Sequence, residues 1–306
     1  MAAVDCGTNS IRLLIAERTK SGGLLDLERR TEIVRLGQGV DATGEFHPDA
    51  LARTFTVVER YAELIRQAGV QVDRIHFVAT SASRDVRNRE AFFDGVRQRL
   101  GVTPDVITGD KEAQLSFTGA LSRVQPEDEP VLVMDIGGGS TEFIVGSAAG
   151  EMSLAVSLDI GSVRITERFL KTSPPAAADL AVAATYVDGL LESSAVDLSS
   201  VGTWIGVAGT ATTLAGVYLE LAEYDRERVH GASIPVADLA ALLDRLSAMT
   251  VEEIRALPSM HPGRADVVTG GALIASRVAV HVPVPDMIVS ESDILDGIAL
   301  ELLAAP

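Results

Sequence analysis

Apolar residues along this chain fall into two kinds of pattern that alternate from end to end. Short continuous runs, such as Ala2-Ala3-Val4 and Val131-Leu132-Val133-Met134, read as strands buried on both faces. Runs of this kind predict strands over 2–6, 11–17, 24–29, 75–80, 104–108, 131–135, 142–147, 153–157, 203–208 and 286–290. Between them the apolar positions recur at helical spacing. In 48–68, Leu51, Phe55, Val58, Ala62 and Ile65 share one face. The same period predicts helices over 89–100, 111–123, 162–171, 176–192, 211–221, 236–248, 265–281 and 293–304. Strands alternating with helices predict an α/β fold with mostly parallel pairing. A chain of 306 residues suits two domains. Asp128-Glu129-Pro130 reads as the linker, which gives domains of 1–125 and 126–292. The last segment, 293–306, lies beyond the natural end of the second domain and is expected to pack back on the first.

The ends of the predicted strands carry the chemistry. Residues 135–142 read Asp-Ile-Gly-Gly-Gly-Ser-Thr-Glu directly after an apolar run. A strand running into glycines lays backbone N–H groups bare for an anion and is read here as allowing φ > 0. An acid at the strand end, Asp135, can hold Mg²⁺ or a water. The chain opens with the same grammar, Ala3-Val4-Asp5-Cys6-Gly7-Thr8-Asn9-Ser10. The two turns stand 130 residues apart, which suggests a duplicated domain, each half offering one phosphate loop to a shared cleft. A third turn, Gly206-Val207-Ala208-Gly209-Thr210-Ala211-Thr212-Thr213, opens a helix and suits either an anion or plain capping. Thr80-Ser81-Ala82-Ser83-Arg84-Asp85 follows a strand at its carboxyl end, where open α/β sheets bind ligands. Arg84 lies in that turn itself, and its guanidinium suits bidentate phosphate contact. In Gly109-Asp110-Lys111-Glu112-Ala113, Asp110 is expected as the helix N-cap, with Glu112 in the first turn. Arg264 follows a Pro-Gly turn and begins a helix, so it too is a candidate for the cleft.

Composition narrows these readings. The net charge of −17 argues against nucleic acid or an anionic membrane as a general partner. Residues 1–125 carry 17 Lys/Arg and 17 Asp/Glu, and residues 126–306 carry 9 and 26. A polyanionic ligand must therefore find most of its cationic contacts in the first half. The single cysteine, Cys6, excludes an internal disulfide and reads as a small buried residue. Five histidines without His-x₃-His pairing offer no metal cluster. No signal peptide precedes the first strand and no apolar run reaches about 20 residues, so a cytoplasmic protein is expected.

Taken in order, the motifs are Asp5-x-Gly-Thr-Asn-Ser-x-Arg, Thr80-Ser-Ala-Ser-Arg-Asp, Gly109-x-x-Glu-Ala, Asp135-Ile-Gly-Gly-Gly-Ser-Thr-Glu, Gly209-Thr-Ala-Thr-Thr, His230-Gly and Met260-His-Pro-Gly-Arg-Ala-Asp. The chain resembles, over essentially its whole length, the exopolyphosphatase and guanosine pentaphosphate phosphohydrolase (Ppx/GppA) family, within the actin, hexokinase and heat-shock ATPase superfamily. The resemblance implies two ribonuclease-H-like domains flanking a cleft and hydrolysis of a terminal phosphoanhydride. It implies Glu112 as general base and Glu142 as a second glutamate that orients the attacking water. Asp135 falls at the magnesium-linked position, with Asp5 as a second candidate ligand. Mg²⁺ or Mn²⁺ is the implied cofactor. Asn9, Ser10, Arg84, Gly137, Gly138, Gly139, Ser140 and Thr141 match phosphate-binding positions, and Gly209 and Thr210 match the region near a nucleoside. Arg12, Lys111 and Arg264 are added as cations for the cleft. Two departures stand out: Lys111 where another glutamate is common, and Leu295-Asp296-Gly297 where many members carry Arg-Glu-Gly. The expected activity is exopolyphosphatase on short chains. A guanosine pentaphosphate 5′-phosphohydrolase and a low-turnover sensor of guanosine tetraphosphate or polyphosphate are the alternatives, with a sugar kinase or actin-like ATPase more distant. A homodimer is expected from the resemblance alone.

Overall fold

A computed structural model describes residues 1–20, 23–84 and 86–304. Asp85 of the Thr80 motif and residues 305–306 of the expected last helix lie outside the described residues. The chain divides into two compact units, Met1–Gly119 with the segment from Ile294 onward, and Ala120–Asp293. The division falls inside the helix Gly109–Leu121 and not at 128–130. Residues 128–130 are part of the second unit's fabric: Thr203 Oγ1 donates to the Asp128 carbonyl at 2.7 Å and Gly202 N to that of Pro130 at 2.8 Å.

The first unit is built on β1 (Ala2–Cys6), β2 (Ser10–Arg18), β3 (Leu24–Ile33), β4 (Ile75–Ala79) and β5 (Asp105–Val106). Their order across the sheet is β3-β2-β1-β4-β5, antiparallel from β3 to β1 and parallel from β1 to β5. Alternation sorts β1 cleanly. Ala2, Val4 and Cys6 face one core with Phe77, Val58 and Phe92, beneath the helices Pro48–Gln67 and Arg89–Leu100. Ala3 faces the other core with Leu14, Val78, Leu115 and Ile298. Each fully buried Leu, Ile or Phe contributes about 1.5–3 kcal/mol. Asp5 and Arg12 fall on the second face by the same period of two.

The last helix, Ile294–Ala304, belongs to the first unit and covers that second face beside Gly109–Leu121. The two helices meet at Gly297, where an added Cβ would lie 2.0 Å from the Leu115 carbonyl oxygen. Asp296, fully buried, accepts from Arg29 Nη2 of β3 at 2.9 Å. Here the acid of Leu295-Asp296-Gly297 neutralises an arginine inside the fold.

The second unit repeats the plan. Its strands are β6 (Val131–Ile136), β7 (Thr141–Gly146), β8 (Met152–Leu158), β9 (Thr203–Val207), β10 (Ser233–Pro235) and β11 (Asp286–Val289). The order is β8-β7-β6-β9-β11-β10, with β8-β7-β6 antiparallel and β6-β9-β11 parallel. Strip off β10 and the first sheet's order and directions return. This is the α/β arrangement of two similar domains that the paired turns suggest, but each sheet is mixed and not mostly parallel as expected, because the hairpins on one side of each central strand pair antiparallel. Trp204, Phe143, Leu214 and Leu273 centre its core under the helices Ala208–Tyr218 and Val268–Ala279. Among the described residues no helix is long and apolar enough to cross a membrane.

Candidate active site

In each unit the candidate residues cluster where the central strand ends. In the first unit β1 delivers Asp5, and Gly7 N donates to the Ser10 carbonyl at 2.9 Å to close the turn. The turn is braced from outside: Val34 N and Arg35 N donate to the Asn9 carbonyl at 3.0 and 2.8 Å, and Gly37 N to that of Thr8 at 2.9 Å. Arg35 takes φ 52, a conformation that costs a non-glycine residue about 1 kcal/mol or more. Asp5 stands opposite Arg12 across the β1–β2 hairpin, and Arg12 Nε and Nη2 both reach Asp5 Oδ2, at 3.0 and 2.6 Å. Asp5, the second candidate metal ligand, thus carries a resident cation on one carboxylate oxygen. The Cys6 thiol beside it is fully buried and is pushed well up, first by burial and then by the Asp5 charge. It is a core residue, as expected.

Arg84 and Glu112, predicted separately, are brought together. The Arg84 Nη2 donates to Glu112 Oε2, and Arg84 Nε to the Ile107 carbonyl at 3.1 Å. Glu112 is 7% exposed, at the start of its helix. The cap of that helix is Thr108, whose Oγ1 accepts from Lys111 N at 3.3 Å, so Asp110 sits in the first turn and is not the N-cap. Lys111 does not join the site residues. Its Nζ lies 2.7 Å from Glu301 Oε1 on the last helix, an exposed ion pair between neighbouring helices.

In the second unit the glycine turn is held by its carbonyls. Ser162 N donates to Gly137 O at 2.9 Å, Val163 N and Arg164 N to Gly138 O at 3.0 and 3.1 Å, and Arg164 Nε to Gly139 O at 2.7 Å. The polar edge left to face an anion is the amide edge. Gly137 N donates to Ser140 O at 3.0 Å, the counterpart of the Gly7–Ser10 bond. None of Gly137, Gly138 and Gly139 is among the positive-φ residues, so glycine is used here for close approach. A Cβ on Gly137 would lie 3.2 Å from Ser140 O, and one on Gly161 only 2.3 Å from the Gly138 carbonyl. The side chain of Thr141 turns into the fold. Its hydroxyl is buried and donates to the Ile160 carbonyl, on the core side of β7.

Asp135 and Glu142 oppose each other across the β6–β7 hairpin, in the register that places Asp5 opposite Arg12. Both are buried, at 5% and 1% exposure. Two buried carboxylates directly opposed make a place of like charge that a cation stabilises. Among the described residues no group of three or more His, Cys, Asp or Glu could cage a metal alone. Mg²⁺ ordinarily takes one or two carboxylates and completes its shell with water and phosphate oxygens. The donor set at Asp135 fits that habit. Ser157 on β8, which no motif singles out, donates from Oγ to Glu142 Oε1 at 2.7 Å.

The third turn is more closed than expected. Ala208 takes φ 61, and Thr210 Oγ1 donates to the Ile136 carbonyl at 2.9 Å, so that hydroxyl is spent inside the fold. Arg264 lies over Gly209, where a Cβ would come within 2.5 Å of the guanidinium. Its Nη1 donates to Gly209 O at 2.7 Å and Thr213 Oγ1 at 3.0 Å. Sequence reasoning missed Glu291 and Tyr224 nearby. Tyr224 donates to Glu291 Oε1, Arg226 Nε lies 3.3 Å from Oε2, and Glu291 N donates to His230 Nδ1 at 3.2 Å. Burial, then the Arg123 charge, lowers the His230 imidazole from its ordinary value. A lone Tyr and Glu outside any glycine-rich turn carry no local signal.

The chain is similar to known proteins over most of its length. The chain is 45% identical over 316 aligned residues to Exopolyphosphatase 2 of Mycobacterium tuberculosis, covering 99% of this chain and 98% of that protein. A guanosine-5′-triphosphate,3′-diphosphate pyrophosphatase of Photobacterium profundum is 30% identical over 71% of this chain and 43% of its own length. The crystal structure of an exopolyphosphatase-like protein superposes with a TM-score of 0.92 at 41% identity, over 98% of this chain and 96% of that one. The sequence pattern of the Ppx/GppA phosphatase family matches residues 14–305, and with the fold and the paired turns in register this chain belongs to that family.

Proposed function

We propose that this chain is an exopolyphosphatase that hydrolyses the terminal phosphoanhydride of inorganic polyphosphate and releases orthophosphate. The observation that carries the reading is the 45% identity, from end to end, with a relative named for that activity. The site chemistry supports it. Transfer of a phosphoryl group to water needs charge neutralisation, a placed water and a proton acceptor. Arg84 and the amide edge of Gly137–Ser140 would take the phosphate oxygens, with Asn9, Ser10, Arg12 and Arg264 as further contacts. Asp135 would hold Mg²⁺ or Mn²⁺, which when bound neutralises phosphate charge. Glu142 would orient the water and Glu112 would accept its proton. The Arg84–Glu112 ion pair gives this assignment a further feature: phosphate oxygens compete with Glu112 for the same guanidinium.

The second reading is hydrolysis of the 5′ γ-phosphate of guanosine pentaphosphate, favoured by the Photobacterium relative. A low-turnover sensor is the third. Orthophosphate release from polyphosphates of several lengths, guanosine pentaphosphate, ATP, and glucose with ATP separates these. Release from polyphosphate in excess over the others is expected. Turnover of guanosine pentaphosphate alone transfers the assignment to the second reading, and tight binding without release to the third. A homodimer in the cytoplasm completes the proposal, and light scattering of the purified chain tests the dimer.

A further inference from the structure

Glu142 stands between two neighbours on one face of the second sheet: Asp135 on β6 and Ser157 on β8, each directly opposite it. The Ser157 hydroxyl donates to Glu142 Oε1 at 2.7 Å. Glu142 is buried, whereas Ser157 is an exposed residue of the edge strand. The terminal torsion of a glutamate is broad, and a donor on one oxygen fixes the plane of the carboxylate and so the direction of the other. Nothing of this kind attends the other exposed serine of β8. Ser153 donates to a backbone carbonyl, that of Val145, at 3.1 Å.

We propose that Ser157 is a positioning residue of the reaction, holding the Glu142 carboxylate in the orientation in which it directs the attacking water. The inference rests on the role proposed above for Glu142. Ser157 contributes no buried apolar surface, so its loss costs the fold little.

The test compares Ser157→Ala, Ser157→Thr and Glu142→Gln in the full chain, with tripolyphosphate and Mg²⁺. Ser157→Ala is expected to lower kcat about tenfold, the scale of one hydrogen bond to a charged group. KM and the melting temperature stay unchanged, and Ser157→Thr, which keeps the hydroxyl, restores most of the rate. Wild-type kcat in Ser157→Ala overturns the proposal, as does equal impairment of the Ala and Thr variants. Glu142→Gln separates the two failures. If it is inactive while Ser157→Ala is normal, the positioning role alone falls. If it turns over normally, the role of Glu142 falls and that of Ser157 with it.

Discussion

The ion pair between Arg84 and Glu112 makes the catalytic assignment sharp enough to break. Glu112→Gln keeps a side chain of the same shape and removes the carboxylate proposed as proton acceptor. It is expected to lower orthophosphate release by roughly 10²-fold or more while polyphosphate still binds, as separate rate and binding measurements would show. Near-normal turnover would take Glu112 out of the mechanism. The hairpins in register make a companion prediction about metal. Mn²⁺ titration should find one site per chain, lost in Asp135→Asn and kept in Asp5→Asn, because Arg12 already neutralises Asp5. Two sites would contradict this. The places of Asp135 and Arg84 at strand ends were legible because a motif sets them there. The core-facing side chain of Thr141 was not, although it lies in the same motif, because strand alternation turns it to the core while Glu142, one residue on, faces the other side. Ser157 was not legible at all, since its part depends on a register between strands 15 residues apart.

At the scale of elements, glycine and charge do work that periodicity does not report. The brace on the triglycine turn requires the backbone of Gly161 to touch that of Gly138. Gly161→Ala should therefore displace the turn, cutting activity far more than it lowers the melting temperature; unchanged kcat would show that the turn tolerates the shift. The Arg29–Asp296 pair is of another kind. Arg29→Ala removes a cation from the fully buried Asp296 carboxylate and should cost a few kcal/mol, up to about 3–5, readable as a lower urea midpoint. Ten of the strands could be placed from apolar runs, because most are buried on both faces. The three residues of β10 could not, since a segment that short holds no period. The start of the helix Gly109–Leu121 was misplaced by two positions because threonine and aspartate cap equally well on paper, and only the Thr108 hydroxyl is in reach of Lys111 N.

For the whole molecule, charge and size set expectations for substrate length. All of the net −17 lies in residues 126–306, so the cationic contacts for a polyanion come chiefly from the first half. Each unit offers one glycine turn and few arginines, enough contacts for a few phosphate units, and short polyphosphates should be preferred. Binding should weaken as salt rises, because screening reduces attraction between exposed charges. Affinity climbing steeply over hundreds of units would instead point to a surface outside the residues named here. The repeated sheet was legible because both copies keep the strand–Asp–glycine pattern. The division between the units was not, because Asp128-Glu129-Pro130 has the composition of a linker while its carbonyls are claimed by β9 and its approach.

The last helix, Ile294–Ala304, completes the unit that begins the chain. On a ribosome this reverses the usual sequence of events, in which the N-terminal domain folds first. The segment from Ala120 to Asp293 is continuous and emerges whole, whereas the first sheet must wait with one face only partly covered, by the helix Gly109–Leu121, until Leu295 and Ile298 are made. Ala3, Leu14 and Val78 are the residues exposed during that wait. A nascent chain halted before position 294 should resist protease in its later part and be cut in its earlier part. Arg84 and Glu112, which belong to that first unit, would thus reach their folded places only after position 294 has been made.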